Sequence, residues 1–328
     1  MATSKIRLML PTTMARAGWD ILAAREGVEI VPFTLGSPAS EFHELLADVD
    51  GVALSLTPFG EKELAIAPRI RVVARVGVGY DAVDVAALTR RGIPLMVTGV
   101  ANSVSVAEQA LFFMLTLAKR GARMNTLLPQ GRWSERMAEL PADLFGKTVL
   151  LIGYGRIGTR LAKRCLAMEM AVHVYDPHIA AEVIRAGGCV PVSDLDAALP
   201  EADFVSIHCP KTDSSSGMFD AARLSAMKTT AFLVNTARGG IIDEAALSEA
   251  LQRGALAGAA LDVFDPEPPA VDHPLLRLPN VVTAPHMAGV TKESVDRMAI
   301  AAARNLLDAL DGKPDPAHVV NKEVLAHR

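Results

Sequence analysis

Val149-Leu150-Leu151-Ile152-Gly153-Tyr154-Gly155-Arg156-Ile157-Gly158 is the stretch on which the reading of this chain turns. Its first four residues are apolar and half of them are β-branched, the pattern of a strand buried on both faces. The glycines follow as G-x-G-x-x-G, and Ile157, Leu161, Cys165 and Leu166 then fall on one face of a helix. In that setting Gly153 permits a tight turn, Gly155 lets a pyrophosphate approach the backbone, and Gly158 lets helix pack on strand. The helix N-terminus offers free N–H groups and a positive dipole end to the phosphates. Tyr154, Arg156 and Ile157, carried between the glycines, belong to the same candidate cofactor loop.

A lone glycine pattern is weak, so the next element carries the weight. Ala171–Tyr175 reads as a second strand, and Asp176 closes it 18 residues after Gly158. A carboxylate there accepts hydrogen bonds from an adenosine ribose and repels a 2′-phosphate, which favours NAD over NADP. The duller reading is a glycine turn in some other α/β protein, with Asp176 as a turn residue before Pro177. Strand, glycines, helix and acid falling in order speak against it.

The 328 residues are long for one core and comfortable for two domains. Only 5% are aromatic, so the cores are expected to be aliphatic. A net charge of −4 without blocks of one sign points to neither a nucleic-acid nor a membrane surface. The three cysteines, Cys165, Cys189 and Cys209, are widely spaced and set among apolar residues, as small buried hydrophobes in a reducing compartment would be. The N-terminal apolar run Ile6–Leu10 is interrupted by Arg7 and is too short for a signal peptide or a span, so a cytoplasmic location is expected. The histidines have no metal-ligand spacing, and no metal is expected.

Taken in order, Ile6–Leu10, Val28–Phe33, Val52–Leu56, Val72–Val76 and Leu95–Val97 read as strands separated by amphipathic segments, the mark of βαβ units and a parallel sheet. No glycine fingerprint opens this half. Asn102–Arg120 reads as one long helix, with Phe112 and Phe113 carrying the apolar surface round most of its circumference, which implies burial on nearly all sides. A link between domains or a packing surface in a dimer satisfies that pattern equally. Leu128–Asp143, polar and tryptophan-containing, reads as a loop reaching to a neighbour. After the first two strands of the second domain come Cys189–Val192, Phe204–His208, Phe232–Thr236, Ala257–Val263 and Val281–Thr283, a second doubly wound α/β sheet. The last helix, Lys292–Leu310, returns to the first domain. The domains are thus drawn at 1–100 plus 291–328, and 101–290.

In open parallel sheets, ligands bind beyond the carboxyl ends of the strands. Arg238, Glu267 and His286 follow three such strands in succession. Oxidation of a 2-hydroxy acid needs a base for the hydroxyl proton and a cation for the carboxylate. Arg238 can grip a carboxylate bidentately. His286 exchanges a proton near neutral pH, and Glu267 can fix its tautomer. Singly, each has a structural explanation: a solvated arginine, a rigid proline-rich loop, a histidine after Pro285. The case rests on all three lying beside a nucleotide loop.

Asn235-Thr236-Ala237-Arg238-Gly239-Gly240, Leu261-Asp262-Val263-Phe264-Asp265-Pro266-Glu267-Pro268 and Pro285-His286-Met287-Ala288-Gly289 resemble the three signatures of the D-isomer-specific 2-hydroxyacid dehydrogenases. Arg75-Val76-Gly77-Val78-Gly79-Tyr80-Asp81 and Val106-Ala107-Glu108 resemble further positions of that family, so the likeness runs through essentially the whole chain. The resemblance implies a flavodoxin-like substrate domain, a Rossmann NAD-binding domain and an active site in a cleft that closes on the cofactor. It implies Arg238 on the substrate carboxylate and carbonyl, His286 as acid/base and Glu267 as its partner. It further implies backbone contacts from Val76 and Gly77 to substrate, Asp262 on the nicotinamide carboxamide, and His208-Cys209-Pro210 bordering the adenine. Thr236 and Ala237 fall in the cofactor set, and homodimers are the family's usual state.

The substrate is expected to be a small 2-keto or 2-hydroxy acid of the hydroxypyruvate or glyoxylate type. Phosphoglycerate enzymes of the family commonly carry an arginine just after the third strand to bind phosphate. Here Leu54-Ser55-Leu56-Thr57-Pro58-Phe59 has no cation, leaving Arg75 or a second subunit to serve. A chain ending at Arg328 is also read as leaving no room for a regulatory domain. D-3-phosphoglycerate dehydrogenase stays open as the alternative, as does an NAD-sensing corepressor. Glu267 speaks against a formate dehydrogenase, whose reaction has no proton to relay.

Overall fold

The computed structural model describes residues 5–327 and divides them into two compact units. One runs to Asn102 and resumes at Val290; the other is Ser103–Gly289.

The first unit begins β1 (Ile6–Pro11), α1 (Arg16–Ala23), β2 (Val28–Phe33), α2 (Ala39–Leu46), β3 (Gly51–Leu54), α3 (Glu61–Ile66), β4 (Val72–Arg75), α4 (Val85–Arg90) and β5 (Leu95–Met96). The strands pair in parallel in the order β2-β1-β3-β4-β5. Every residue of β3 and β4 is buried, which is why both read as unbroken apolar runs rather than alternating ones. Both are shorter than expected, because Ser55 and Val76 already belong to the loops at their carboxyl ends.

The second unit opens with α5 (Ser103–Ala118) and α6 (Gly121–Leu127). It continues with β6 (Thr148–Ile152), α7 (Gly158–Ala167), β7 (Ala171–Tyr175), α8 (Ala181–Ala186), β8 (Val190–Val192), α9 (Leu195–Ala198) and β9 (Phe204–Ile207). Then come α10 (Ala221–Ala226), β10 (Phe232–Asn235), α11 (Glu244–Gln252), β11 (Gly258–Leu261) and β12 (Val281–Thr283). Seven parallel strands lie in the order β12-β11-β10-β9-β6-β7-β8. One core cluster centres on Leu150, Ile207, Leu233 and Leu261, and another on Phe113, Leu151, Leu161 and Val234, so successive side chains of the central strands feed opposite faces. Aspartates cap helices throughout: the Asp194, Asp220 and Asp243 carboxylates accept amides from the first turns of α9, α10 and α11.

The chain then returns to the first unit as α12 (Lys292–Leu310), capped by the Thr291 hydroxyl on the Ser294 amide. Ala299, Ala303 and Leu306 of α12 bury themselves against Leu8, Ala53 and Val72.

Two sequence expectations are refined. Within the single chain α5 keeps an open strip: Glu108 and Phe112 are exposed one turn apart, Phe112 by 55%, while Ala110, Phe113, Met114 and Leu117 are buried. Counting apolar residues cannot tell a face that is filled within the chain from one that is left open. The expected loop 128–143 contains a short 3-10 turn, Trp133–Met137, with its apolar side chains outward.

Candidate active site

The glycine loop joins β6 to α7. Gly153 has φ +101°, and a Cβ there would lie 2.9 Å from the His208 carbonyl. At Gly158 a Cβ would lie 2.1 Å from the Gly153 oxygen, so the helix starts as close to the turn as glycine allows. Above Gly155 the space is open, as a pyrophosphate approaching the backbone requires. Tyr154 is buried, with its hydroxyl 3.6 Å from the Cys189 sulfur, and burial pushes its phenol up to about 12. Arg156 is exposed and Ile157 half-buried.

Asp176 follows β7 directly. Its Oδ2 accepts the Tyr154 amide at 2.8 Å and its Oδ1 the His178 amide at 2.9 Å. The acid at the second strand is thereby tied to the middle of the glycine loop.

On the next strands, His208 continues the sheet through its amide to Ile152 O, although β9 itself ends at Ile207. Its Nε2 lies 2.8 Å from the Ser206 hydroxyl, its Nδ1 is buried without a partner among the described residues, and burial lowers the imidazole to about 4. Cys209 is half-buried, not buried as expected, and its thiol is pushed up to about 11. Pro210 is exposed, and its carbonyl accepts the Ser215 hydroxyl. Thr236 is buried with its hydroxyl unpartnered among the described residues. These orphaned groups at neighbouring strand ends, with the open space above Gly155, fit a polar cofactor lying across the loops.

β10, β11 and β12 are adjacent, with Asn235 beside Leu261 and Leu261 beside Thr283. Arg238, Glu267 and His286 all leave from this one edge. Asn235 locks the first turn, accepting the Ala237 amide and donating to the Arg238 carbonyl, both at 2.9 Å. The Arg238 guanidinium curls back to the Ala237 carbonyl at 2.7 Å. Glu267 takes the Phe264 amide on Oε1 at 3.0 Å and meets His286 Nδ1 with Oε2 at 2.7 Å. Because an ionised carboxylate only accepts, Nδ1 carries the proton of that bond and Nε2 is left to exchange one. His286 is exposed.

Asp262 is 1% exposed, and its two oxygens accept the Met287 and Ala288 amides at 2.8 Å each. Burial pushes its pKa above the ordinary carboxylate value, and those amides pull it back. The carboxylate expected on the nicotinamide is thus engaged with the segment that carries His286. That segment is strained: His286 itself has φ +54°. For a β-carbon-bearing residue this costs about 1 kcal/mol or more. The Asp262 contacts supply the constraint that keeps it there.

In the first unit, β4 leads into Val76 and Gly77. The Val76 amide donates to Leu54 O at 2.8 Å. This corrects the expectation for Val76, whose N–H belongs to the sheet. Arg75, considered above as a phosphate partner, is 6% exposed and gives its Nε to Gly79 O. Leu56, in the loop after β3, is 75% exposed.

Asn235 and Asp262 lock the turns, a duty that spacing alone does not reveal. An acid or amide standing directly at a strand end, before a loop that turns sharply, was the available signal. Among the described residues no group of three or more His, Cys, Asp or Glu is arranged to hold a metal, and no helix is long and apolar enough to cross a membrane.

Residues 111–288 match the family model described as "D-isomer specific 2-hydroxyacid dehydrogenase, NAD binding domain". A D-3-phosphoglycerate dehydrogenase of Archaeoglobus fulgidus is 38% identical over 263 residues, 80% of this chain and 50% of that protein. A glyoxylate reductase of Thermofilum pendens is 38% identical over 287 residues, 86% of this chain and 84% of that one. The chain therefore spans about half the length of the former and most of the latter. Among solved structures, the TT0316 protein of Thermus thermophilus superposes with a TM-score of 0.88 at 35% identity, covering 96% of this chain and all of its own.

Proposed function

The chain belongs to the D-isomer-specific 2-hydroxyacid dehydrogenase family, and on that premise we propose that it reduces a small, unphosphorylated 2-keto acid to the D-2-hydroxy acid with NADH. The observation that carries this reading is the 2.7 Å bond between His286 Nδ1 and Glu267 Oε2, at the carboxyl ends of strands beside a dinucleotide loop.

Bound NAD would exchange a hydride with the substrate carbon; the chain supplies the rest. The Gly153–Gly158 turn and the α7 N-terminus hold the pyrophosphate, and Asp176 holds the adenosine ribose. His208, Cys209, Pro210, Thr236 and Ala237 border the cofactor. Arg238 grips the substrate carboxylate. His286 gives a proton from Nε2 to the carbonyl oxygen in reduction and takes it back in oxidation. Glu267 holds the imidazole in the tautomer that leaves Nε2 free and favours its protonated form. Asp262 fixes the backbone beyond His286, so any bond to the nicotinamide carboxamide uses its remaining lone pairs.

D-3-phosphoglycerate remains the second candidate, favoured by the named relative from Archaeoglobus fulgidus. The loop after β3 argues against it, since Leu56 is exposed there and Arg75 is buried against Gly79. An exposed leucine suits an apolar substituent better than a phosphate dianion.

We also infer a homodimer. Phe112, Leu128, Trp133, Met137, Leu140 and Phe145 are all more than half exposed within one segment of the second unit. So much apolar surface supports contact with a second copy. A cytoplasmic location is supported by three free thiols, two of them buried.

The deciding experiment follows NADH oxidation with glyoxylate, hydroxypyruvate, pyruvate and bulkier 2-keto acids, with NAD and 3-phosphoglycerate as the reverse assay. Turnover of an unphosphorylated acid supports the proposal. Activity confined to phosphoglycerate overturns the substrate class, and silence with all of them overturns the activity.

A further inference from the structure

The loop that carries Glu267 is held by a second histidine–carboxylate pair. Glu244, the first residue of α11, does not cap its own helix; Asp243 does that. Its Oε1 accepts the Asp265 amide at 2.8 Å, and its Oε2 lies 3.1 Å from His273 Nε2, an ion-pair distance without hydrogen-bond geometry. The two side chains are only 14% and 21% exposed. His273 also sets its ring edge-on to Phe264, with centroids 5.8 Å apart. The preceding amide, that of Phe264, is the one that holds the Glu267 carboxylate. Two consecutive amides of one loop thus serve two glutamates, one facing each histidine. On the exposed side the Lys211 ammonium reaches Asp265 Oδ2 at 2.6 Å, so Asp265 is held both through its backbone and through its side chain.

From this arrangement we propose that Glu244 and His273 are positioning residues for the acid/base pair: they fix the Phe264–Asp265 backbone and thereby set Glu267 against His286. The inference rests on the roles given to Glu267 and His286 above. A loop tethered only by its ends and by an exposed lysine would let Glu267 swing, and a bond of 2.7 Å tolerates little swing. Burying Glu244 is unfavourable, and burial indeed pushes its pKa up while the Asp265 amide and His273 pull it down. A group kept buried at that cost, off its own helix cap and on the neighbouring loop, has its natural explanation in what the loop carries.

The test compares Glu244→Ala, Glu244→Gln and His273→Gln with the unaltered protein. Glutamine at 244 keeps an acceptor for the Asp265 amide; alanine does not. With the best 2-keto acid, Glu244→Ala is expected to lower kcat by about tenfold or more, as removal of an orienting partner commonly does. Its NADH affinity should be little changed and its pH–rate profile displaced, with Glu244→Gln recovering most of the loss. His273→Gln should fall between the two. Independently of turnover, the downfield proton resonance of the His286–Glu267 bond should broaden in Glu244→Ala and persist in Glu244→Gln. Exchange of the Phe264 and Asp265 amides should quicken in parallel. Unchanged resonance and amide protection in Glu244→Ala overturn the positioning role, whether or not the protein turns over any acid tried. A protein silent with every acid, in which Glu244→Ala still loses the resonance, retains the positioning role and loses the proposed reaction. If Glu244→Ala does not fold, His273→Gln carries the test, and an unaltered resonance, amide exchange and pH profile in it overturn the positioning role.

Discussion

Asp262 accepts the amide of His286 on its carbonyl at 2.8 Å, so the residue closing β11 holds the backbone of the proposed acid/base from the neighbouring strand. Its carboxylate then takes the two amides that follow. A left-handed backbone at His286 is held from three directions by one residue. Asp262→Ala leaves two amides without their acceptors, that of Ala288 in a buried place. Unfolding in urea should show a loss of about 2–5 kcal/mol, with kcat reduced alongside. A variant as stable and as active as the unaltered protein would remove this account.

Removing the imidazole while sparing the cofactor loop separates chemistry from binding. His286→Ala is expected to lower kcat by at least about a hundredfold while NADH still quenches protein fluorescence as before. Glu267→Gln retains a hydrogen-bond acceptor but no charge, so the pH window of kcat should narrow rather than vanish. Turnover by His286→Ala at the normal rate would take His286 out of the mechanism.

The bond from the Tyr154 amide to Asp176 ties cofactor choice to the glycine loop. Asp176→Ala should raise the NADPH-to-NADH ratio of kcat/KM by at least about tenfold, through loss of ribose bonds and of repulsion toward a 2′-phosphate. Measured ratios that match between variant and parent would discard the ribose assignment.

His208 makes stability depend on pH in a stated direction. Its imidazole titrates at about 4 when folded, against 6.5 unperturbed, because the ring is buried and its Nδ1 has no solvent contact. The folded chain therefore binds fewer protons than the unfolded one between these values. Stability is full above the unfolded value and is lost as pH falls from there towards the folded one, by up to about 3 kcal/mol. The stability difference between the protein and His208→Gln, followed by urea unfolding from pH 8 to 4, should shrink on the acid side. A difference independent of pH would mean that the ring is solvated.

Much of this is legible in the sequence. β2, β7, β12 and α12 fall within the residues expected, because each is a strong periodic or β-branched run bounded by turn residues. The glycine loop and Asp176 were readable for the same reason: their function demands particular backbone shapes in a fixed order. What was not legible depends on partners distant in sequence. Asp262 and Met287, or Glu244 and His273, are 25 and 29 residues apart, and no local periodicity couples them. The Val76 amide was misjudged because whether an N–H faces a ligand or a neighbouring strand depends on where β3 ends. The open strip of α5 escaped for a related reason, since composition counts apolar residues without saying which of them the rest of the chain reaches.

The return of α12 to the first unit has a consequence for how the chain is made. Ser103–Gly289 is contiguous, and all its strands are synthesised before α12 is. Ala299, Ala303 and Leu306, which cover Leu8, Ala53 and Val72, arrive later. The half translated first must therefore wait, with one apolar side of its sheet uncovered, while the half inserted into it completes its core. This reverses the usual N-terminus-first order of domain maturation. A chain stopped after Gly289 should yield, on brief proteolysis, a resistant fragment close to 103–289 and a degraded N-terminal part. Equal resistance of both parts would mean that the β1–β5 sheet matures without its last helix.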